Sequence, residues 1–230
     1  MKLVPRFISL ACLLFCLGVR SSSAALLYDL DFTPSEVGTY TVVFGSPTVS
    51  SSFGGLSTAL VFHAVTSYDQ IRLNLGAGSP GYQINFDVVT HGLRNSQYAF
   101  SMDLDTPQIR TLEFHGGLNS VYVFQPYSGS GILQPLADDS IEHVATTVDI
   151  LHNLWTISVN GVGLYSNAID ASDIQDIRFT MAPWIGGATN SPGTQAAIDN
   201  IVISTVPEPS SLLLTTFGIL MVLRFARRRE

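Results

Sequence analysis

The stretch Val144-Ala145-Thr146-Thr147-Val148-Asp149-Ile150-Leu151-His152-Asn153-Leu154-Trp155-Thr156-Ile157-Ser158-Val159-Asn160-Gly161 decides the fold. It reads as a strand through Val148-Asp149-Ile150, a short turn through Leu151-His152-Asn153, a second strand from Leu154 to Val159 and a tight Asn160-Gly161 turn. Asn-Gly supplies the two positive backbone angles that a two-residue turn needs, so this is a β-hairpin followed by another reversal. Alternation recurs elsewhere. Tyr82, Ile84, Phe86 and Val88 interleave with Gln83, Asn85 and Asp87. Tyr98, Phe100, Met102 and Leu104 interleave with Ser101 and Asp103, and Ile177, Phe179 and Met181 with Asp176, Arg178 and Thr180. Period two means strands with one wet face. Leu56 to Val65, Ile71 to Leu75, Val121 to Phe124 and Ile198 to Ile203 are more continuously apolar, as central strands are. No stretch of the body carries a helical stripe, and eleven to thirteen short strands are expected.

The pattern TVDILHNLWTISVNG resembles the hairpin of laminin-G-like and concanavalin-like jelly rolls. Tyr28-Asp29-Leu30-Asp31-Phe32 is similar to their first strand, and Ala197-Ile198-Asp199-Asn200-Ile201-Val202-Ile203 to their last. The resemblance implies an all-β, two-sheet antiparallel jelly-roll sandwich over residues 26–205.

The two ends read as an address. Lys2 and Arg6 precede the apolar run Phe7 to Val19, and small residues follow to Ala25, so residues 1–25 are expected to be a secretory signal peptide. Both cysteines, Cys12 and Cys16, lie inside it, which leaves the body without thiol chemistry. At the other end come Val206-Pro207-Glu208-Pro209-Ser210-Ser211, the apolar run Leu212 to Phe225 and Ala226-Arg227-Arg228-Arg229-Glu230. Ser210 to Phe225, as a helix, covers about 24 Å of a bilayer core of about 30 Å. Arg224 can snorkel while Arg227, Arg228 and Arg229 stay in the cytoplasmic headgroups, which makes a short transmembrane helix acceptable. Residues 206–230 resemble the PEP-CTERM sorting tail of Gram-negative bacteria. That resemblance implies recognition at Pro207, Glu208 and Pro209 by an exosortase, a transient stay in the inner membrane, and delivery to the cell surface or extracellular polysaccharide.

Between the ends, Leu26 to Val206 holds four arginines, no lysine and sixteen acids, a formal charge of −12. Nothing here could neutralise phosphates, so nucleic acid is not an expected partner. Polysaccharide hydrolases on concanavalin-like sandwiches place carboxylates as Glu-x-Asp-x-x-Glu on one strand, where alternate residues face one cleft. No such run occurs. Glu36, Glu113 and Glu142 are isolated in sequence, and Asp103 and Asp105 lie on the polar side of an alternating strand. No catalytic residue is assigned and the body is expected not to be an enzyme. The five histidines never take metal-ligand spacing. For a structural calcium ion the resemblance points to Asp31 and Asp199, because first and last strands lie side by side in such sandwiches and carboxylates suit that ion. For a ligand it is Trp184, in Ala182-Pro183-Trp184-Ile185-Gly186-Gly187, since a sugar stacks on an exposed ring; Trp155 is expected to pack between the sheets. The expectation is an exported surface or matrix protein whose sandwich binds carbohydrate or is structural. The alternatives are a glycan hydrolase or lyase on the same scaffold, and a coat protein without a ligand.

Overall fold

The computed structural model describes residues 24–33, 36, 38–76, 78–104, 110–124, 130–169 and 174–206. Nearly all of the expected signal peptide, residues 1–25, and the expected sorting and anchor residues Pro207, Glu208, Pro209, Arg224, Arg227, Arg228 and Arg229, lie outside the described residues. Ala25–Val206 makes one compact unit. Among the described residues there is no helix long and apolar enough to cross a membrane.

The elements are β1 (Leu26–Leu30), β2 (Thr41–Phe44), β3 (Thr48–Ser50), β4 (Ala59–Ala64), β5 (Asp69–Asn74), β6 (Gly81–His91), β7 (Tyr98–Leu104), β8 (Arg110–His115), β9 (Ser120–Phe124), β10 (Gly131–Pro135), β11 (Glu142–Asp149), β12 (Leu154–Val159), β13 (Val162–Asn167), β14 (Asp176–Pro183) and β15 (Ser191–Thr205). They form two antiparallel sheets. The first runs β13-β12-β11-β6-β15-β4-β3, with β1 also paired to β15; the second runs β10-β9-β8-β7-β14-β5-β2. The architecture is therefore all-β, as expected, with more strands than expected. The additions include β2 and β3, whose side chains are nearly all exposed, so neither shows the alternation of a half-buried strand.

Register follows the pleat. In β6 the inward Tyr82, Ile84, Phe86 and Val88 are buried while Gln83 and Asn85 are exposed, and β7 alternates in the same way. The two inner faces meet through rings. Phe62 and Phe86 from the first sheet reach Phe100 and Phe179 of the second, at centroid separations of 5.3 Å and 5.1 Å. Such aromatic pairs add about 0.5–1.5 kcal/mol each beyond the area they bury. Trp155 is fully buried in this core, as expected. Its Nε1 donates to Thr146 Oγ1 at 2.8 Å, and that hydroxyl donates to the Thr156 carbonyl, so the one polar atom of the ring is satisfied.

The hairpin β11–β12 pairs from Val144↔Val159 to Asp149↔Leu154. Asn160 and Gly161, at φ of 52° and 76°, then turn the chain into β13, in the left-handed region that Asn and Gly tolerate best. β1 lies against the end of β15, with Asp29 opposite Val202 and Leu30 opposite Ile201. First and last strands are neighbours, as expected.

Candidate functional site

The outward face of the second sheet gathers polar side chains that are far apart in sequence. Register places Tyr122, Glu113, Ser101, Thr180, Gln70 and Phe44 in one row across β9, β8, β7, β14, β5 and β2. The next row is Phe124, Thr111, Asp103, Arg178, Arg72 and Thr41. At neighbouring-strand spacings of about 4.8 Å, five steps make each row roughly 24 Å long.

Asp103 sits at the centre. Its Oδ2 accepts from Thr180 Oγ1 at 2.9 Å, and Gln70 Nε2 donates to the same threonine oxygen at 2.8 Å. Burial pushes the Asp103 carboxyl up to about 6; bonds from Thr180 and Ser101 and the Arg178 charge offset part of this, and the Glu113 charge adds to it. Glu113 accepts from Thr111 Oγ1 at 2.8 Å. Since Asp103 is opposite Thr111 and Ser101 is opposite Glu113, the two acids are diagonal neighbours, with Cβ atoms about 7 Å apart by strand geometry. Arg178 is held by Asp176, its Nε 3.0 Å from Oδ1.

At the β2 edge a pocket of about 280 Å³ is lined by Phe44, Tyr68, Gln70, Asp103, Leu104, Arg178 and Thr180. Phe44 and Tyr68 are each more than half exposed, with ring centroids 6.1 Å apart. Trp184 lies at the other end of this face. Its indole packs on His115 at 5.1 Å and covers Gly117, where a Cβ would come within 2.2 Å of the ring. The indole Nε1 donates to the Ser96 carbonyl at 3.1 Å, while 45% of the residue remains exposed. The ring is thus fixed from below and bare above.

The other sequence-derived candidates are not brought to this face. Asp31 follows β1, and its Oδ1 accepts from the Thr33 amide and hydroxyl, bonds that hold its carboxyl below the usual range. Asp199 is 2% exposed. Burial raises its carboxyl, as do the Asp87 and Asp31 charges, whereas the Asn200 and Thr58 amides lower it. Both carboxylates are engaged by backbone donors. Among the described residues no group of three or more His, Cys, Asp or Glu side chains is arranged to hold a metal ion. Four histidines pair with single aspartates: His63 with Asp69, His91 with Asp139, His143 with Asp87 and His152 with Asp149.

Sequence reasoning missed the pairing of Asp103 with Glu113. The signal was present only as two outward positions on adjacent alternating strands, and their register is set by the pairing of β7 with β8 in the fold.

No family model and no curated protein sequence matches the chain. Solved structures do match. A sialidase superposes with a TM-score of 0.61 at 15% identity over 82% of this chain and 19% of that one. A Bacillus licheniformis β-glucanase gives 0.55 at 16% identity, covering 80% and 99%. Domain 4 of an extracellular arabinanase from Geobacillus stearothermophilus, solved in complex with arabinotriose, gives 0.53 at 18% identity, covering 82% and 96%. The fold is a jelly-roll sandwich. The chain spans about a fifth of the sialidase and about half of the botulinum neurotoxin binding domains that it also matches.

Proposed function

We propose that the protein is an exported, non-catalytic carbohydrate-binding sandwich, sorted to the cell surface or extracellular polysaccharide of a Gram-negative bacterium by its PEP-CTERM tail. The observation that carries the binding role is the outward face of the second sheet, where the part-exposed Gln70, Ser101, Asp103, Glu113 and Tyr122 lie between the bare Trp184 ring and the Phe44–Tyr68 pair. A sugar offers hydroxyls at its rim and an apolar C–H face, and this surface offers a partner to each. The similarity in fold to an arabinanase domain seen with arabinotriose supports the substrate class by analogy. Pro207, Glu208 and Pro209 serve exosortase recognition in this reading, and Arg224, Arg227, Arg228 and Arg229 hold the inner-membrane intermediate.

A second reading is favoured by one observation. Asp103 and Glu113 share a face, and the raised carboxyl of Asp103 is what a general acid needs, so glycan hydrolysis is the alternative. One experiment separates the two. The unit Ala25–Val206 is offered a glycan array and insoluble polysaccharides, with reducing-end release measured in parallel, as wild type, Trp184→Ala and Asp103→Asn. Binding that falls at least tenfold in Trp184→Ala, without release of sugar, supports the binder. Release abolished by Asp103→Asn moves the assignment to a hydrolase, and a folded wild type that binds nothing removes both. Export is tested by mutating Glu208→Ala in the native host and following retention of the protein in the inner membrane.

A further inference from the structure

The opposite side of the sandwich carries a surface of a different kind. Across β6, β11, β12 and β13 the central outward positions, between Asp87 and His143 on one side and Asp149 on the other, are Gln83 and Asn85, Ala145 and Thr147, Thr156 and Ser158, and Gly163 and Ser166. None is charged, although exposed surface is ordinarily about a quarter to a third Lys, Arg, Asp and Glu and the body bears sixteen acids. These positions line a groove of about 670 Å³, within the range of about 300–1,000 Å³ typical of ligand sites.

Its shape follows from register. The row Gln83–Thr147–Thr156–Ser166 forms a wall, and the adjacent row Asn85–Ala145–Ser158–Gly163 is low, because two of its four members have almost no side chain. The trough crosses three strand spacings, about 14 Å. Among the described residues the side-chain amides of Gln83 and Asn85 make no hydrogen bond with the protein. Beneath the floor, Trp155 and Tyr165 pack edge to face at 5.6 Å, so the trough rests on core rather than on a loop. The first charged groups beside it are Asp87 and His143 on one side, bonded to each other, and Asp149 on the other, bonded to His152.

We propose that this groove is a second binding site, for an uncharged polyhydroxylated chain. Amides and hydroxyls match neutral sugar hydroxyls one for one, and the acidic body around the groove repels polyanions. Two sites on opposite faces would let one molecule join two polysaccharide strands, so the inference extends the carbohydrate reading without depending on the Trp184 face.

The test uses the purified full chain and titration calorimetry with cellohexaose, maltohexaose and mannohexaose, and with polygalacturonate as the anionic control. A Cβ at Gly163 meets no atom within 4 Å and the position has no positive φ, so Gly163→Arg blocks the trough without straining the backbone. The expected result is that at least one neutral hexasaccharide still binds Trp184→Ala. That residual binding falls at least tenfold when Gly163→Arg is added, and similarly with Gln83→Ala and Asn85→Ala together, while polygalacturonate binds this site at least tenfold more weakly. Binding removed entirely by Trp184→Ala overturns the second site and leaves the first. Residual binding indifferent to Gly163→Arg, or no binding by any hexasaccharide, also overturns it.

Discussion

The two outward faces of the sandwich are built from the same pleat and differ in what they do with charge. On the second sheet Asp103, Glu113, Arg178 and Asp176 sit among nearly buried threonines, 6% exposed at Thr111 and 5% at Thr180, and bond to one another. On the first sheet, β11 to β13 and the adjoining half of β6 carry only neutral groups in the groove, open to solvent. Beside the groove the acids Asp87 and Asp149 are paired with His143 and His152, and farther across the face a part is covered. Leu56, Ala59, Val61, Val89 and Ala197 form a small apolar cluster with Phe53 and Ile141, and the loop at Gly54 comes so close to Val89 that a Cβ there would lie 2.4 Å from its methyl. A charged face stores electrostatic cost that pH can release, whereas a neutral one is thermodynamically quiet.

The largest effect that could break this contrast comes from below the neutral face. Trp155→Ala should cost about 3–5 kcal/mol in urea unfolding, because it empties a fully buried site and removes the donor to Thr146 Oγ1. A loss under 1 kcal/mol would mean that the neutral face does not rest on packed core. Next comes the charged face itself. The raised carboxyl of Asp103 means the native state holds its proton up to about pH 6 whereas the unfolded chain releases it near pH 4. Stability should therefore fall as pH rises between those values and then level off. Asp103→Asn should remove that slope and gain about 1–3 kcal/mol at pH 7, and denaturation at pH 4 and pH 7 checks both. Glu142 extends the same logic to the rim of the core. Burial pushes it to about 7 although Gln134 donates to it at 2.7 Å, so Glu142→Gln should raise the melting temperature at pH 8 by a few degrees and leave it unchanged at pH 4. The smallest effect belongs to the neutral face, where Thr147→Arg should change stability by less than about 0.5 kcal/mol at any pH. A pH-dependent change there would mean that the two faces are not electrostatically distinct.

Local chemistry was readable and long-range register was not. The β11–β12–β13 meander was legible because Asn160-Gly161 and the alternation around Trp155 specify it within twenty residues. The exposed ring of Trp184 followed from its position in a loop rich in glycine. The charged row was illegible, since Thr180, Gln70 and Glu113 come from strands separated by up to 110 residues in sequence and share a face only through pairings made in the fold. β2 escaped notice for a physical reason: an edge strand with Val42, Val43 and Phe44 all exposed has no period to detect. Asp199, expected to serve a structural calcium ion, accepts the Asn200 amide at 2.8 Å beside the bulge in β15, a local bond that its sequence context did not announce.

The position of β15 has a consequence for assembly order. The last described strand, β15, lies inside the first sheet, between β6 on one side and β4 and β1 on the other. Until it arrives, β6 and β4 have no common neighbour, and β1 has no partner at all among the described residues. The sheet therefore cannot close progressively behind the growing chain. β15 completes three pairings together, each of long sequence separation, which gives the sheet a high contact order and makes its closure a late step in folding.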